Sequence, residues 1–176
     1  LPGEIGGLAW VDVSTGRFNA ASIPHEQLHD ELARIRPAEL LLSEDSAEAA
    51  IDGEWSVTRR AGWTFSYKSS LQLLEKQFGT QSLEGFGFGD QDTAALCAAG
   101  SILSYLQETQ RTELAHIDRI SPYESRSALQ IDEASRSSLE ISRTVRSEKR
   151  DGSLLDVMDR TVTAMGGRLL GEWLEN

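Results

Sequence analysis

The segment Asp151–Leu174 constrains the fold more than any other part of this sequence. Its apolar residues recur at the spacing of one face of an amphipathic helix: Leu154, Leu155, Met158, Val162, Met165, Leu169 and Trp173. The same stretch contains Gly166, Gly167 and Gly171. Each glycine lowers the stability of a helix by about 1 kcal/mol relative to alanine. The pattern therefore predicts a helix, capped by Asp151 or Ser153, that is stable only when neighbouring elements hold it.

The ends of the chain favour a fragment of a longer protein. The marginal helix runs almost to the last residue, Asn176, and the first residues, Leu1–Glu4, include no initiator methionine. These first residues also lack the basic and apolar regions of a signal peptide. A length of 176 residues fits one domain, or one domain with part of another. We expect a piece of a larger chain.

The charge of the chain narrows the range of partners. It carries 28 acidic and 17 basic residues, a net charge of −11, whereas nucleic-acid binding uses Lys and Arg to neutralise phosphates. Any DNA contact must therefore be local or lie in other parts of the protein. The densest basic cluster is Arg143, Arg146, Lys149 and Arg150. We interpret it as a solvated loop, because short charge runs usually are.

Hydropathy and cysteine content predict an intracellular protein with no membrane partner. No apolar run reaches the roughly 20 residues that a membrane-spanning helix needs. The single cysteine, Cys97, excludes an internal disulfide and a cysteine-built zinc site. Its alanine-rich surroundings predict a small buried side chain. One unpaired cysteine fits a reducing compartment, and we expect the cytoplasm.

Local patterns predict a layered α/β domain followed by helices. The predicted elements are a hairpin of Ile5–Val13 and Arg17–Ile23, a helix from Pro24 to about Pro37, strands at Glu39–Leu42 and Trp55–Arg59, and helices at Ser70–Phe78 and Asp92–Gln110. The run Glu39–Leu42 is typical of a strand buried on both faces. Ile120–Ile131 reads as an extended link, and only helices follow, the first at Ala134–Val145. We place the domain boundary near residues 115–120.

The sharpest short motif is H-E-x-x-H, formed by His25, Glu26 and His29. Two histidines one helical turn apart can bind zinc, with the glutamate as a base. A catalytic zinc site needs a third protein ligand. The candidates for it are Glu44, Glu48 and Glu54. Because the motif falls at the exposed first turn of its helix, we interpret it as a chance match.

Asp12 is a second candidate for metal chemistry. It lies near the end of the first predicted strand, on the same face as Leu8 and Trp10, where some metal-dependent nucleases and ATPases present a metal-binding carboxylate. A two-metal site needs further carboxylates, and only Glu44 and Asp45 are well placed. The commoner role, which we prefer, is to stabilise the Ser-Thr-Gly turn that follows.

Two further features are assigned structural roles. Gly85–Asp90 superficially resembles a phosphate loop, but it lacks the Lys-Ser/Thr pair. Asp90 or Asp92 is more simply the N-cap of the next helix. His116 is isolated and is assigned a local structural role. The residues alone therefore predict no catalytic, cofactor-binding or metal-binding site.

Longer stretches resemble one family along the whole chain. DGSLLDVMDRTVTAMGGRLL (151–170) is similar to the start of the lever or core domain of the MutS family of DNA mismatch-repair proteins. Other matching stretches are GLAWVDVSTGRF (7–18), RPAELLLSED (36–45), EKQFGTQSLEGFG (75–87), AAGSILSYLQETQRTELAHIDRI (98–120) and LQIDEASRSSLEI (129–141). They occur in the family order, and TVTAMGGRLL and QETQRTELAHI are highly specific.

The resemblance implies an architecture and a set of partners. Residues 1–118 would be the connector domain, a three-layer ribonuclease-H-like α/β fold without nuclease activity, and residues 119–176 would begin the all-α core or lever domain. The parent would be a homodimeric ATPase that uses ATP and Mg and binds mismatched duplex DNA. The fragment would hold no cofactor. It would couple the mismatch-reading domain to the lever and ATPase domains and offer a surface to a MutL-type partner.

Two other functions stay open at this stage. One is an independent metal-dependent hydrolase that uses His25, Glu26 and His29, or Asp12 with Glu44; bound metal and chelator-sensitive activity would identify it. The other is a pure protein-interaction module, for which partner capture by residues 1–118 would be the test. For a fragment of the resembled family we expect neither ATP hydrolysis nor tight binding to duplex DNA.

Overall fold

The computed structural model describes residues 5–46, 55–110, 114–123, 131 and 133–175. The chain divides into two compact units, Leu1–Glu124 and Ser125–Asn176. The first contains β1 (Ile5–Asp12), β2 (Arg17–Pro24), α1 (Leu28–Ile35), β3 (Glu39–Ser43), β4 (Ser56–Arg60), α2 (Tyr67–Phe78), α3 (Thr93–Thr109) and β5 (Ile120–Pro122). The second contains α4 (Glu133–Ser138), α5 (Leu154–Met158) and α6 (Ala164–Glu175). The predicted mixed α/β class is confirmed. In the described ranges no helix is long and apolar enough to cross a membrane.

The strands form two small sheets. β1 and β2 pair antiparallel across a turn in which Gly16 takes a φ of 75°, so the predicted hairpin is confirmed. β5 joins the other edge of β2 in parallel, with Phe18 opposite Ile120. β3 and β4 pair in parallel as a separate sheet. β5 lies at the start of the segment that was predicted to be an extended link. Its three residues, the last of them a proline, are too few to show a periodic pattern in the sequence.

The first unit has three layers, because alternate strand residues enter two different apolar clusters. On β1, Leu8 and Trp10 pack with Leu32 of α1, while Ala9 and Val11 pack on the other side with residues of α2 and α3. The second cluster is the larger. Its buried members include Phe18, Leu74, Leu103, Ile117 and Ile120. The main sheet is thus covered by α1 on one face and by α2 and α3 on the other.

Helix α3 organises the larger cluster. Its predicted inward residues are all buried, which confirms the prediction: Leu96, Ala99, Leu103 and Leu106. α2 ends at Gly79, which takes the left-handed φ of 62° expected of a glycine at a helix C-terminus. Gly100 of α3 lies directly against Ser70 of α2, so the two helices cross at close range.

Two local predictions in this unit are wrong. β3 is not buried on both faces: Glu39 is exposed and the other four residues are half-buried, because among the described strands only β4 pairs with it and its other edge is open. The α1 helix does not begin at Pro24, which is the last residue of β2. A 3-10 turn, His25–Gln27, comes first. The helix ends at Ile35, and Arg36, its C-cap, takes a left-handed φ of 48°.

The two long helices predicted for the second unit are also wrong. The first ends at Ser138, where predicted Ala134–Val145 would continue, and Glu140 takes a φ of 50°. The terminal pattern forms two helices, α5 and α6, separated by residues 159–163. The predicted cap is confirmed, because the Ser153 hydroxyl accepts from the Asp156 amide at 3.2 Å.

Side-chain bonds to the backbone explain the break before α6. The Asp159 carboxylate accepts from the amide and the hydroxyl of Thr161 at 2.8 and 2.7 Å, and the Thr163 hydroxyl accepts from the Gly166 amide at 3.0 Å. Such short polar side chains compete with helical hydrogen bonding. The apolar face of α6 is open to solvent: Met165 and Trp173 are each 69% exposed.

The bonds of Asp159 to Thr161 and Arg150 predict how this part of the fold responds to pH. The Thr161 hydroxyl, then the Thr161 amide and Arg150, lower the pKa of the Asp159 carboxyl from 3.8 to about 2. Because the folded pKa lies below the unfolded one, the stabilisation is complete above about pH 4 and is lost as pH falls through about 2. We expect the Asp159 carboxyl carbon, followed by NMR, to titrate near pH 2. Thr161→Val should raise that midpoint and Thr161→Ser should not; a wild-type midpoint near 3.8 would contradict the prediction.

Candidate functional site

Asp12 stabilises the hairpin turn. One carboxylate oxygen accepts from the Ser14 hydroxyl at 2.7 Å, the Ser14 amide at 2.8 Å and the Thr15 amide at 3.3 Å. The bond from the Ser14 hydroxyl is the main cause of its lowered pKa, so the group stays ionised. Asp45, its proposed partner in a metal site, lies instead against Gly62. The turn role predicted for Asp12 is confirmed.

The H-E-x-x-H residues are not assembled into a metal site in the part of the chain that the structure describes. His25 and Glu26 lie in the 3-10 turn, whereas His29 lies in α1, and all three are exposed. Of the possible third ligands, Glu44 is exposed and Glu48 and Glu54 fall outside the described residues. Among the described residues no group of three or more His, Cys, Asp or Glu side chains could hold a metal ion.

The glycine-rich stretch and His116 also have local roles. The Asp92 carboxylate, at the boundary of α3, accepts from the Gly89 amide at 2.8 Å, which fixes the chain just before the helix. The His116 ring is 2.8 Å from the Val13 carbonyl, and its backbone carbonyl lies against Gly16. The predicted structural role of His116 is confirmed: it holds the 114–117 turn on the hairpin.

The basic cluster lies on a closed loop between α4 and α5. The amides of Leu154 and Leu155 donate to the carbonyls of Glu140 and Ile141 at 3.0 and 2.8 Å, which brings the two ends of the loop together. Its four cationic side chains, Arg143, Arg146, Lys149 and Arg150, are exposed. Arg150 bonds to the Asp159 carboxylate. The predicted solvated loop is confirmed.

A cavity of about 730 Å³ is the main feature that the sequence did not predict. It is bounded by β1, β3, α1 and α3, where the facing edges of the two sheets share no hydrogen-bonded ladder among the described residues. Its lining includes Trp10, Leu40 and Cys97. Cys97 is half-buried, whereas the sequence predicted a buried side chain, and this partial burial raises the pKa of its thiol. The cavity holds a neutral thiol among apolar side chains, which is not the environment of an activated nucleophile.

A polar network ties the β3–β4 sheet to α3 beside this cavity. Arg60 donates two hydrogen bonds of 2.6 Å to Glu108. The Glu39 carboxylate accepts from the hydroxyls of Thr58 at 2.5 Å and Tyr105 at 2.8 Å. The Arg60 bond lowers the pKa of Glu108, and the Glu39 bond raises that of Tyr105. The shifts favour a charged Arg60–Glu108 pair and a protonated Tyr105 hydroxyl, and the network holds the β3–β4 sheet against α3.

The family of the chain follows from two matches in sequence order. The family model described as MutS domain II matches residues 3–118, and the one described as MutS domain III matches residues 134–176. The first match alone covers more than half of the chain. The chain belongs to the MutS family. The resemblance read from the quoted stretches is thereby confirmed.

A curated MutS relative agrees with this membership. The DNA mismatch repair protein MutS of Rhodopirellula baltica is 46% identical over 174 residues, which are 98% of this chain and 20% of the relative. The chain thus spans about a fifth of the length of that MutS. The division of the chain at 118/119 stays a prediction, since the domain II match ends at residue 118 while β5, at Ile120–Pro122, belongs to the first compact unit.

MutS membership leaves the hydrolase alternative unsupported. Its three parts, the H-E-x-x-H residues, Asp12 and Glu44, are exposed, and in the described ranges they join no metal-binding group. The hydrogen bonds described above position parts of the fold. They stabilise the hairpin turn, close the loop between α4 and α5, and hold the β3–β4 sheet against α3.

Proposed function

We propose that this chain is the part of a DNA mismatch-repair MutS protein that mechanically couples the mismatch-reading domain to the lever and ATPase domains. Residues 1–118 are the connector domain, with a ribonuclease-H-like fold, and residues 119–176 begin the core or lever domain. The two family matches in order, with a MutS relative 46% identical over almost the whole chain, carry this proposal. The fragment itself catalyses no reaction. The parent is a cytoplasmic homodimer that uses ATP and Mg and binds mismatched duplex DNA.

The packing of the first unit suits a mechanical role. Phe18 of β2, Leu103 of α3 and Ile117 are at most 1% exposed and belong to one cluster. The Gln77 side-chain amide donates to the carbonyls of Leu114 and Ile117, both at 3.0 Å, and so joins α2 to the turn before β5. A core packed in this way is nearly incompressible. Chains of packed side chains and rigid elements of this kind can carry energetic coupling between distant sites.

The layer order supports the ribonuclease-H-like part of the proposal. An antiparallel hairpin and a parallel strand pair lie in one unit, and helices cover both faces of the main sheet. Asp12 is committed to its turn, which agrees with a fold of this type without nuclease activity.

The DNA and ATP assays test the proposal directly. With a net charge of −11 and four clustered cations, the 176-residue chain should bind homoduplex and mismatched DNA with a Kd no tighter than about 10 μM at 0.15 M salt, and it should not hydrolyse ATP. Fluorescence anisotropy over a salt series measures the binding. Any residual affinity should disappear in an Arg143→Glu, Arg146→Glu, Lys149→Glu variant. Submicromolar, salt-sensitive binding by the unmodified chain would contradict the assignment.

The partner surface needs a separate experiment. A MutL-type partner should be retained by the immobilised 176-residue chain and by the full-length protein. A shorter chain ending at Glu124 should also retain it, since it keeps the whole first unit. Retention by the full-length protein alone would remove the partner surface from the proposal and leave the mechanical link.

A further inference from the structure

We propose that Tyr123, Arg34, Glu31 and Trp10 form a clasp that fixes the point at which the chain leaves the first unit. Tyr123 is the last described residue of that unit, which ends at Glu124. The inference goes beyond the coupling function proposed above, since it concerns how this unit holds its own exit strand.

β5 is too short to hold the exit by itself. Its register with β2 covers only three residues, from Phe18 opposite Ile120 to Ala20 opposite Pro122. Pro122 has no backbone N–H to donate to a ladder. The Tyr123 amide supplies the next bond, to the Ala20 carbonyl at 2.8 Å. The exit strand therefore depends on side chains for most of its attachment.

The side chain of Tyr123 meets a ring and two charged groups. Its ring centroid lies 4.9 Å from that of Trp10, with the planes inclined at 74°, the edge-to-face arrangement that aromatic pairs favour. The Arg34 guanidinium carbon lies 4.7 Å from the Tyr123 centroid and 5.7 Å from that of Trp10, within the range of cation–π attraction. One cation thus contacts both rings.

Glu31 closes the clasp from α1. Its carboxylate accepts from Arg34 Nε at 2.9 Å and from the Tyr123 hydroxyl at 3.4 Å. Both charged side chains are 12% exposed, so solvent screens their attraction less than that of a surface pair. The pair holds the guanidinium over the rings, and the rings in turn hold the exit strand.

The end of β5 is therefore attached on both faces of the sheet. Ile120 is fully buried in the cluster formed with α2 and α3, while Tyr123 packs in the cluster on the α1 side. Ile120 is an ordinary core contact. The clasp differs from it because its four members are half-buried. Its two rings pack on the smaller cluster, so we expect the larger cluster to stay covered when the clasp opens.

Hydrogen exchange on the 176-residue chain tests the clasp. Tyr123→Ala should speed exchange of the amides in 117–123 by about tenfold and leave those of α3 within about twofold, because only the local opening becomes easier. Tyr123→Phe keeps both ring contacts and should stay within about threefold of the wild type. Arg34→Met, which removes the cation and keeps the apolar stem, should fall between them.

The controls separate a clasp from general stability. Trp63→Ala removes an aromatic residue that is 70% exposed and outside the clasp, and it should change neither region. Equal acceleration in α3 and in 117–123 would show that Tyr123 is an ordinary core residue and would overturn the inference. So would unchanged exchange in 117–123. If Tyr123→Ala does not fold, Arg34→Met decides between these outcomes. The DNA, ATP and partner assays bear on none of these results, so this inference and the proposed function can fail separately.

Discussion

Replacing Gly7 by alanine should lower the free energy of unfolding of the first unit by about 3 kcal/mol or more, whereas the same change at neighbouring Gly6 should leave it nearly unchanged. A β-carbon built on Gly7 would lie well under 3.0 Å from the carbonyl group of Ala94, a separation that real β-carbons essentially never show. Both obstructing atoms belong to the backbone of α3, so no change of rotamer can relieve the overlap. β1 and α3 would have to separate.

Gly6 is a matched control one residue away on the same strand. Among the described residues, its built β-carbon would meet the His25 ring at 3.8 Å and the Ile23 carbonyl at 4.0 Å, which are ordinary contacts. Thermal and denaturant unfolding, followed by the near-ultraviolet signal of the first unit, measure both variants. Gly7→Ala should lower Tm by about 10 °C or more. Equal stabilities of the two variants would show that α3 does not approach β1 as closely as described.

Replacing Gly100 by alanine should also lower the free energy of unfolding, and two opposing contributions decide the sign of the change. Alanine favours a helix interior over glycine by about 1 kcal/mol. Against this, the new β-carbon would lie within 3.0 Å of the Cα and Cβ of Ser70 on α2. Carbon atoms normally pack about 3.5–4.0 Å apart, so the helices must move apart by more than 1 Å along their contact. Overpacking of this kind costs about 1–3 kcal/mol. Because the contact is very close, we expect the upper half of the resulting range, a net loss of about 1–2 kcal/mol.

A second substitution tests the cause of that loss. Ser70→Gly removes the obstructing β-carbon, so it should recover part of the stability when combined with Gly100→Ala, although alone it is destabilising. The coupling in this double-mutant cycle should be about 1 kcal/mol or more. Gly89→Ala is the control, because a β-carbon there meets no atom of the described residues within 4 Å. Independent, additive effects at Gly100 and Ser70 would mean that the helix contact is not the cause.

The parts of the fold that were predictable are those fixed by local chemistry. The hairpin follows from alternating residues on either side of Ser14-Thr15-Gly16, and α3 from an apolar stripe that is buried as expected. The prediction of one long helix in the terminal segment was wrong, and the reason is also local. Its apolar spacing is helical, but periodicity does not register that Asp159 and Thr163 bind backbone amides and interrupt the helix. β5 could not be predicted because three residues carry no pattern.

The features of the candidate site also divide into those that could be predicted from local sequence and those that could not. The turn role of Asp12 and the exposed basic loop were predictable, since each depends on neighbours in sequence. The network beside the cavity was not, because Glu39 and Tyr105 are 66 positions apart and Arg60 and Glu108 are 48 apart. Nothing in their local sequence distinguishes them from surface residues. Which distant residues meet is set by how the sheets and α3 pack.

The place of β5 in the chain has a consequence for synthesis. β2 leaves the ribosome about a hundred residues before the strand that covers its edge, Ile120–Pro122. At about 5–20 residues per second the nascent chain carries that open edge for roughly 5–20 s. An uncovered edge strand is a template for pairing with other chains. Phe18, which is buried in the folded unit, lies on β2 and cannot pack against its partner Ile120 during this interval. The nascent first unit therefore carries an edge that can pair with other chains during the interval before Ile120–Pro122 arrive.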